Sequence, residues 1–255
     1  GKLVGEAGKK IVLEERLTGE EISFLVLTDG KNVLPLVPTQ DHKRVYDDDR
    51  GPNTGGMGAY SDDSMVSYAL HHRIMKEIVL PTIQGLRAEG MVYRGILYCG
   101  LMITADGPSV IEYNVRFGDP ETQALLVRLD TNLAELALET ARGNLREGPL
   151  AWKPGASVCV VACSEGYPGE YRTGRPIHGL AAAEACGAKI FHAGTAATDG
   201  QLVTSGGRVL GITAWGPDLV SATRTAYEAA SKIQFEGIHY RSDIARKGLL
   251  RTHPL

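Results

Sequence analysis

Residues 110–121 read VIEYNVRFGDPE, and this stretch decides how the rest of the chain is interpreted. Its apolar and polar residues alternate, which is typical of a β-strand because successive side chains of a strand point to opposite faces. The alternation therefore predicts a strand whose polar face carries Glu112, Asn114 and Arg116 side by side. The opposite, apolar face is predicted to consist of Ile111, Tyr113, Val115 and Phe117.

The polar face of this strand is a candidate site for a divalent cation and an anion. Glu112 and Asn114 offer the oxygen ligands that Mg²⁺ and Mn²⁺ prefer, and water and nucleotide phosphates normally complete such a shell. The planar guanidinium of Arg116 suits a carboxylate or a phosphate bound at the same place. A solvent-exposed face of an antiparallel sheet shows the same alternation, so this stretch alone leaves both interpretations open.

Length and composition indicate a globular protein of one or two domains. The chain has 255 residues, of which 43% are hydrophobic and 22% are charged. Its net charge is -3 and its basic residues are scattered, which argues against a nucleic acid or a membrane surface as a partner. The four cysteines show no zinc-like spacing, and no apolar run is long enough to span a bilayer. We therefore expect a reduced, cytoplasmic protein without a secretory leader.

The first half of the chain is predicted to contain two pairs of strands. Short strands are predicted at 11–15 and 21–28, where apolar residues are bounded by turn residues. Longer strands are predicted at 93–103 and 109–116, joined by a turn of Ala, Asp, Gly and Pro. The region between the two pairs begins with 41–60, which is rich in Gly, Asp and Asn and is predicted to be a long, functional loop.

A helix is predicted after Ser64, because apolar residues there recur at spacings of three and four. Pro81 is expected to kink this helix, and Gly90 is expected to end it. The predicted buried stripe of the helix consists of Tyr68, His72, Met75, Val79, Ile83 and Leu86.

Gly and Pro residues at 148–155 mark the predicted domain boundary. The first domain, 1–149, is predicted to hold the strands and helices described above, and the second, 150–255, is predicted to be a small strand-rich module. Glycine turns separate its strands, and an amphipathic helix is predicted at 218–233. We expect an α+β fold, in which a mixed or antiparallel sheet with helices is followed by the strand-rich domain. The strands of that domain are predicted at 157–164, 189–193, 201–204 and 208–215.

Residues 14–21 read EERLTGEE and are a candidate nucleoside-binding segment. An extended backbone offers a carbonyl and an amide to the edge of a nucleobase, while Leu17 packs on the ring. A carboxylate shortly afterwards, Glu20 or Glu21, accepts both hydroxyls of a ribose. An acidic surface turn has the same composition, and for this segment taken alone the surface turn is the favoured interpretation.

Residues 51–60 read GPNTGGMGAY and form a candidate anion-binding loop. Because glycine has no Cβ, several backbone amides can converge on a phosphate or carboxylate, and the neighbouring Asn and Thr side chains add donors. No Lys-Ser or Lys-Thr pair follows, so the loop is not a Walker A motif, and a flexible turn is the alternative interpretation. The candidate residues are Asn53, Thr54, Gly55, Gly56, Met57 and Gly58.

Residues 40–44 read QDHKR and lie just upstream of that loop. Lys43 and Arg44 are placed to neutralise a transferring phosphoryl group, which is the main task of a protein in phosphoryl transfer. His42 is interpreted as a structural hydrogen-bonding residue and not as a base. The histidines elsewhere in the sequence lack a third ligand at metal spacing, so no zinc site is predicted.

Six phrases of the sequence together resemble the glycinamide ribonucleotide synthetase family, also called the phosphoribosylamine–glycine ligases. They are EERLTGEE, QDHKR, GPNTGGMGAY, IEYNVRFGDPE, HAGT at 192–195 and SGGRVLG at 205–211. The resemblance extends over about 5–248, and PNTGGMGAY and NVRFGDPE are its most specific parts. It implies an ATP-grasp fold followed by a barrel-sandwich-hybrid-like domain.

The resemblance implies an ATP-dependent ligase of purine biosynthesis. ATP, glycine and 5-phosphoribosylamine are the implied substrates, Mg²⁺ or Mn²⁺ is the implied metal, and glycinamide ribonucleotide, ADP and phosphate are the implied products. In this reaction the carboxylate of glycine attacks the γ-phosphate, and the ribosylamine nitrogen then attacks the carbonyl of glycyl phosphate. Many other ATP-grasp enzymes place a further carboxylate where this chain has Gly100, so the metal is expected to depend heavily on nucleotide phosphates.

The resemblance also implies roles for residues at matching positions. Glu112 and Asn114 are similar to the metal ligands of the family. Arg116 and Lys43 are similar to catalytic residues near the acceptor and the phosphate, and the loop at 53–58 is similar to a substrate-binding loop. The implied nucleotide-binding residues are Glu14, Glu15, Leu17 and Glu21.

A large part of the family has no counterpart in this sequence. The upstream substrate-binding domain, the glycine-rich loop that covers the ATP phosphates and the lysine that pairs with them are absent. The sequence starts with Gly1 and not with Met, so we expect it to be the later part of a longer protein. The missing N-terminal portion is therefore the expected partner, and the chain alone is expected to be inactive or nearly so.

Two other interpretations are open. In the first interpretation, the chain is a non-catalytic ATP-grasp fragment that binds nucleotide or a partner without turnover. In the second it belongs to an ATP-grasp carboxylase or amino-acid ligase of other specificity. The phrase PNTGGMGAY and the lack of a biotin-type acceptor signal argue against the second interpretation.

Overall fold

The computed structural model describes residues 9–251 and 255, and all pairings between its strands are antiparallel. The combination of antiparallel sheets with α-helices confirms the predicted α+β class. In chain order, the strands are β1 (Glu20–Thr28), β2 (Val33–Pro35), β3 (Gln40–Asp41), β4 (Arg44–Tyr46), β5 (Arg50–Asn53), β6 (Gly58–Asp62), β7 (Gly95–Thr104), β8 (Gly107–Asn114), β9 (Ala156–Ser164), β10 (Lys189–His192), β11 (Thr195–Thr198), β12 (Gln201–Thr204), β13 (Arg208–Gly216) and β14 (Ile238–His239). The α-helices are α1 (Tyr68–Ile74), α2 (Leu80–Ala88), α3 (Glu121–Leu126), α4 (Leu133–Arg142), α5 (Leu180–Ala185), α6 (Leu219–Ala230) and α7 (Arg246–Leu250), and a π-helical turn, Met75–Val79, joins α1 to α2.

The first sheet has the strand order β2-β1-β7-β8. β1 pairs with β7 along its whole length, and both faces of β1 are covered. Phe24 belongs to the largest core cluster, whereas Leu25, on the opposite face, belongs to a second cluster with Leu125 and Leu136. Burial on both faces explains why β1 is almost continuously apolar and does not alternate.

The second sheet contains strands from both sides of the predicted domain boundary. Its strand order is β10-β13-β9-β6-β3, and β14 also pairs with the end of β9. β3 and β6 precede residue 149, whereas the other strands of the sheet follow it. Mutual main-chain hydrogen bonds between Ser23 and Thr39 connect this sheet to β1. The division into 1–149 and 150–255 stays a prediction, and both stretches contribute strands to this one sheet.

Two predictions for the first part of the chain are wrong. Residues 11–15 do not form a strand, and Leu13 in their middle is 94% exposed. An apolar run forms a strand only where another strand pairs with it, and none does so within the described residues. Residues 41–60 are not a continuous loop, because they include the hairpin of β4 and β5 and the start of β6. β6 pairs with β9, which follows far later in the chain, and local composition does not reveal such a partner.

The predicted helix after Ser64 is present, but its buried stripe differs from the prediction. Pro81 lies at the start of α2, where it lacks an N–H and its ring crowds the carbonyl four residues earlier. The helix widens into the π turn just before this proline, which shifts the residues that face the core. Val79 and Ile83 are buried as predicted, whereas Tyr68 and His72 are exposed and Leu70, Ile74 and Ile78 are buried instead.

None of the helices in the described residues is long and apolar enough to cross a membrane.

β8 confirms only part of the predicted alternation. The strand ends at Asn114, and a bulge at Ile111 interrupts its pairing with β7. The predicted apolar face is largely exposed, and β8 is the edge strand of the first sheet within the described part of the chain. Ile111, Tyr113 and Val115 are 37%, 44% and 73% exposed, and of the four predicted apolar residues Phe117 alone packs against a core cluster.

Candidate functional site

Glu112 and Asn114 lie on the same face of β8. They are opposite Gly100 and Tyr98 of β7 with no bulge between them, so the two-residue period of a strand directs both side chains the same way. Within residues 9–251 neither side chain makes a hydrogen bond, which leaves the oxygens of both free to bind a ligand. A Cβ at position 100 would lie 3.0 Å from Cγ of Glu112, so the glycine leaves space for this side chain.

These two side chains fit a cation that the protein holds only partly. No cluster of three or more His, Cys, Asp or Glu side chains that could hold a metal exists among the described residues. One carboxylate and one amide oxygen suit Mg²⁺ or Mn²⁺, since such ions are commonly held by one or two protein ligands, with phosphate oxygens and water in the other positions. The donor set therefore fits a metal that binds together with a nucleotide.

Lys43 and Glu21 form an ion pair beside this face. Glu21 of β1 lies on the same side of the first sheet as Glu112, and Nζ of Lys43 donates to its carboxylate. Burial by itself would lower the pKa of Lys43, but the hydrogen bond and the charge of Glu21, together with the charges of Glu112 and Asp41, raise that pKa. Lys43 is therefore a permanent positive charge close to the candidate metal ligands.

A buried hydrogen-bond network lies beneath the candidate metal ligands. Glu121 is 3% exposed, and its Oε1 accepts hydrogen bonds from the Tyr98 hydroxyl at 2.8 Å and from Oγ of Ser23 at 3.2 Å. Burial and the charge of Glu121 raise the pKa of Asp41 well above its usual value. Sequence analysis assigned no role to Glu121, because a carboxylate at the start of a helix gives no local sign that it is buried.

The glycine loop, residues 53–58, is held against Lys43. The main-chain N–H and the hydroxyl of Thr54 both donate to the carbonyl of Lys43, at 2.7 and 2.9 Å. The N–H of Gly56 in turn donates to the Thr54 hydroxyl oxygen at 2.9 Å. The glycine loop and Lys43, which were predicted separately, are therefore neighbours.

The residues of the glycine loop differ in what they present to a ligand. Asn53 is exposed at the end of β5, so its side-chain amide is accessible. The side chain of Met57 is fully buried in a core cluster, where its sulfur lies 3.7 Å from Sγ of Cys163, and does not face a ligand. Gly58 is the first residue of β6. The N–H groups of residues 54–57 all donate to other groups of the protein, so the predicted convergence of loop amides on an anion is not observed. The side chain of Asn53 is what the loop presents to a ligand.

Replacing Gly56 by Ala is expected to destabilise the glycine loop. The residue has a φ of +113°, and an added Cβ would collide with Pro120 and lie 2.8 Å from Oδ1 of Asp41. We expect the free energy of unfolding, measured by urea titration, to fall by about 1–3 kcal/mol. The control is Gly85→Ala in α2, where nothing lies within 4 Å of the Cβ position. This control is expected to raise the free energy of unfolding by about 0.4–1 kcal/mol, and equal effects of the two substitutions would contradict the tight packing at Gly56.

The candidate nucleoside-binding segment lies against the first sheet. Glu14, Glu15 and Leu17 line a cavity of about 360 Å³ together with one residue of β7 and residues 109–111 of β8. These β8 residues directly precede Glu112, so the cavity adjoins the candidate metal ligands. The segment has no regular secondary structure, so it is not the end of a strand. It reaches the site because it lies against the first sheet.

Arg116 lies beyond the end of β8, so its predicted place on the strand face of Glu112 and Asn114 stays a prediction. Its side chain is exposed, and its Nη1 donates to the carbonyl of Phe117 at 2.8 Å. The two-residue period applies only as far as the strand extends, so the alternation does not determine where Arg116 points.

The imidazole ring of His42 is buried without a hydrogen bond, so the interpretation of this side chain as a hydrogen-bonding group is wrong, although the main chain of His42 bonds to Gly58 and Met57. Neither ring nitrogen has a partner in the described part of the chain. Burial, together with the positive charges of Arg241 and Lys247, lowers the pKa of His42 to about 4. The ring is therefore neutral at pH 7, and it packs 6.0 Å from the ring of Tyr60.

Two residues of the C-terminal region reach the glycine loop, and neither was among the predicted site residues. The hydroxyl oxygen of Tyr167 accepts a hydrogen bond from the N–H of Gly55, and Nη1 of Arg208 donates to the carbonyl of the same residue. Arg208 belongs to the phrase SGGRVLG, which was expected, from the resemblance, to pack toward the site, although no role was predicted for Arg208 itself. The sequence around Tyr167 contains no pattern that predicts a contact with the glycine loop.

Comparisons with known proteins identify the family to which this chain is similar. A family model described as phosphoribosylglycinamide synthetase, ATP-grasp (A) domain, matches residues 1–122, and a model described as phosphoribosylglycinamide synthetase, C domain, matches residues 157–247. The phosphoribosylamine–glycine ligases of Vibrio vulnificus and Pseudomonas aeruginosa are each 50% identical to this chain over 252 residues, which is 98% of the chain. The chain spans 59% of the length of each of these relatives.

Solved structures extend the comparison to the fold. The crystal structure of phosphoribosylamine–glycine ligase from Thermotoga maritima has a TM-score of 0.82 and 39% identity, and the match covers 90% of this chain and 56% of that one. The biotin carboxylase subunit of pyruvate carboxylase, at 15% identity and a TM-score of 0.60 over 86% of this chain and 46% of that one, shares the fold alone. With both domain models and relatives of this similarity in agreement, the chain belongs to the phosphoribosylglycinamide synthetase family.

Proposed function

We propose that this chain supplies the nucleotide- and metal-binding part of an ATP-dependent ligase that joins glycine to 5-phosphoribosylamine. The observation that carries the proposal is the pair Glu112 and Asn114, whose free oxygens share a sheet face with the Lys43–Glu21 ion pair. The phosphoribosylamine–glycine ligases at 50% identity support the choice of substrates. Because the chain spans only 59% of those relatives, the activity belongs to a longer polypeptide or to an assembly.

Each part of the site has a role in this proposal. Glu112 and Asn114 hold Mg²⁺ or Mn²⁺, which, when bound, neutralises charge on the nucleotide phosphates. The cavity at 14–17 receives the adenine, and Glu21 binds the ribose hydroxyls once Lys43 turns toward the phosphates. Asn53 binds the acceptor, and the glycine loop, whose amides are held by other parts of the protein, fixes the position of this side chain.

The proposed reaction has two steps that these residues assist by positioning and charge. A carboxylate oxygen of glycine attacks the γ-phosphorus of ATP, the bond to ADP breaks, and glycyl phosphate forms. The amine of phosphoribosylamine then attacks the glycyl carbonyl carbon, phosphate leaves, and the amine loses a proton. Lys43 and Arg116 carry positive charges that stabilise the transferring phosphoryl group, since charge stabilisation is the main task of a protein in this chemistry.

A nucleotide-binding fragment without turnover is the second candidate function. The observation that favours it is the share of the relatives that this chain spans, which is 59%. In this proposal the chain binds a nucleotide and no turnover follows, whether or not an upstream region is present.

Two measurements on the same protein separate the two candidates. We expect ATP with Mg²⁺ to raise the thermal unfolding temperature of the chain, and glycine-dependent ADP release to occur only after the upstream region of a relative is added in trans. Full turnover by the 255 residues alone would refute the expectation that they are inactive. Protection by ATP with no ADP release in either condition favours the fragment, and the absence of both effects excludes both candidates.

A further inference from the structure

The C-terminal region contacts both sides of one peptide unit in the glycine loop. The N–H of Gly55 donates to the Tyr167 hydroxyl oxygen at 2.9 Å, and the carbonyl of Gly55 accepts from Nη1 of Arg208 at 2.6 Å. Gly55 therefore has its donor and its acceptor satisfied by side chains that are distant in sequence. An amide and a carbonyl held in this way cannot rotate freely, although the surrounding glycines would otherwise allow it.

Arg208 also connects the glycine loop to the segment that follows β8. Its Nη1 donates to the carbonyl of Asp119 at 2.7 Å and lies 3.4 Å from the carbonyl of Gly56. The same atom is 3.3 Å from Oδ1 of Asp119, and the Arg208 side chain is 22% exposed. One guanidinium thus joins the loop, the chain beyond the candidate metal ligands, and β13.

Tyr167 is held in place by its surroundings. A Cβ at Gly207 would collide with the Tyr167 ring and lie 3.0 Å from Cε1 of Tyr171, so the glycine permits close stacking of the ring against the backbone. The ring also packs against a core cluster that includes Met57 and Cys163. With the ring fixed, the direction of its hydroxyl toward Gly55 is fixed as well.

We propose that Tyr167 and Arg208 are positioning residues that set the conformation of the glycine loop for the acceptor substrate. Neither needs to touch the ligand, because both act through the main chain of Gly55. This makes the C-terminal region part of the acceptor site, and the inference rests on the proposed role of the glycine loop in binding the phosphate-bearing amine. A hydrogen bond of this kind contributes about 0.5–1.5 kcal/mol net, and more when one partner is charged.

Amide hydrogen exchange of the 255-residue chain tests the contact without any need for activity. Tyr167→Phe keeps the ring packing and removes only the hydroxyl, so exchange at the Gly55 amide is expected to accelerate roughly five- to tenfold. Tyr171→Phe is the matched control, because the Tyr171 hydroxyl makes no hydrogen bond in the described residues and lies on the neighbouring ring. Unchanged exchange at Gly55 in Tyr167→Phe, or equal acceleration in both variants, overturns the proposal.

Steady-state kinetics of the chain completed with the upstream region of its relatives tests the positioning role. In Tyr167→Phe and Arg208→Gln, KM for phosphoribosylamine is expected to rise roughly tenfold while KM for ATP stays within about twofold. Arg208→Lys is expected to recover part of the loss, because an ammonium can replace one donor of the guanidinium. An equal rise in both KM values indicates a general structural effect and overturns the role. If the unsubstituted protein shows no glycine-dependent ADP release, the proposed function fails, and the exchange experiment still decides whether the contact orders the loop.

Discussion

Glycine-dependent ADP release is expected to fall at least about 100-fold when Glu112 is replaced by Gln, because a metal at a phosphoryl group contributes several kcal/mol and its one charged protein ligand is lost. The substitution keeps the shape of the side chain and its place opposite Gly100, so the fold is expected to be unchanged. Since the described residues contain no cluster of three or more His, Cys, Asp or Glu that could replace it, no nearby carboxylate set takes over. The measurement is ADP release by the chain combined with the upstream region of its relatives.

The dependence on metal concentration distinguishes loss of a ligand from loss of structure. In Glu112→Gln, the Mg²⁺ concentration that gives half-maximal activity is expected to rise, whereas Glu112→Asp is expected to retain part of the activity. Glu228→Gln on the exposed side of α6 is the control and is expected to match the unsubstituted protein. A Glu112→Gln variant with unchanged metal dependence would show that the metal is bound elsewhere, and the proposed function would lose its main support.

Replacing Asp243 by Asn is expected to lower the free energy of unfolding at pH 7 by about 3 kcal/mol, since removal of one partner from a buried ion pair leaves the other charge uncompensated. Arg241 is 1% exposed, and its Nε and Nη2 donate to the two carboxylate oxygens of Asp243 at 2.7 and 2.8 Å. Asp49 accepts a further bond from Arg241 at 3.0 Å and limits the loss. Urea titration is the measurement, and Asp130→Asn, at an exposed position, is the control and is expected to change the value by less than about 0.5 kcal/mol.

The effect of Asp243→Asn is expected to depend on pH in one direction. Burial by itself would raise the pKa of Asp243, but its hydrogen bonds from Arg241 and from the N–H of Asp48 hold that pKa well below its usual value. A carboxyl whose pKa is lowered by folding contributes fully to the stability of the folded state at a pH above its unfolded pKa of about 4. This contribution decreases progressively as the pH falls below that value. The difference in free energy of unfolding between the unsubstituted protein and Asp243→Asn should therefore be constant from about pH 6 to 8 and should shrink below about pH 4. A difference that grows on acidification would contradict the ion pair.

Local sequence patterns predicted those elements that have a strong pattern of their own, including β1, although its partner β7 is distant in the chain. β7 and β8 are joined by a short turn, and α6 shows an apolar stripe of its own, so propensity and periodicity are sufficient to find them. The same patterns failed where a distant partner decides. β6 forms because β9 is available to pair with it, and Ile11 to Leu13, although apolar, form no strand without such a partner in the described residues.

The sequence by itself determined that Glu112 and Asn114 share one face, because a strand without a bulge between them has a period of two whatever surrounds it. Tertiary structure alone decided that Lys43 lies beside that face, that Glu121 is buried beneath it and that Arg208 holds the glycine loop. The alternation of side chains along a strand follows from its extended backbone, whereas these contacts join segments that packing brings together across two sheets. For that reason, the shared face of Glu112 and Asn114 was predictable from the order of residues, and the contacts that hold the glycine loop were not.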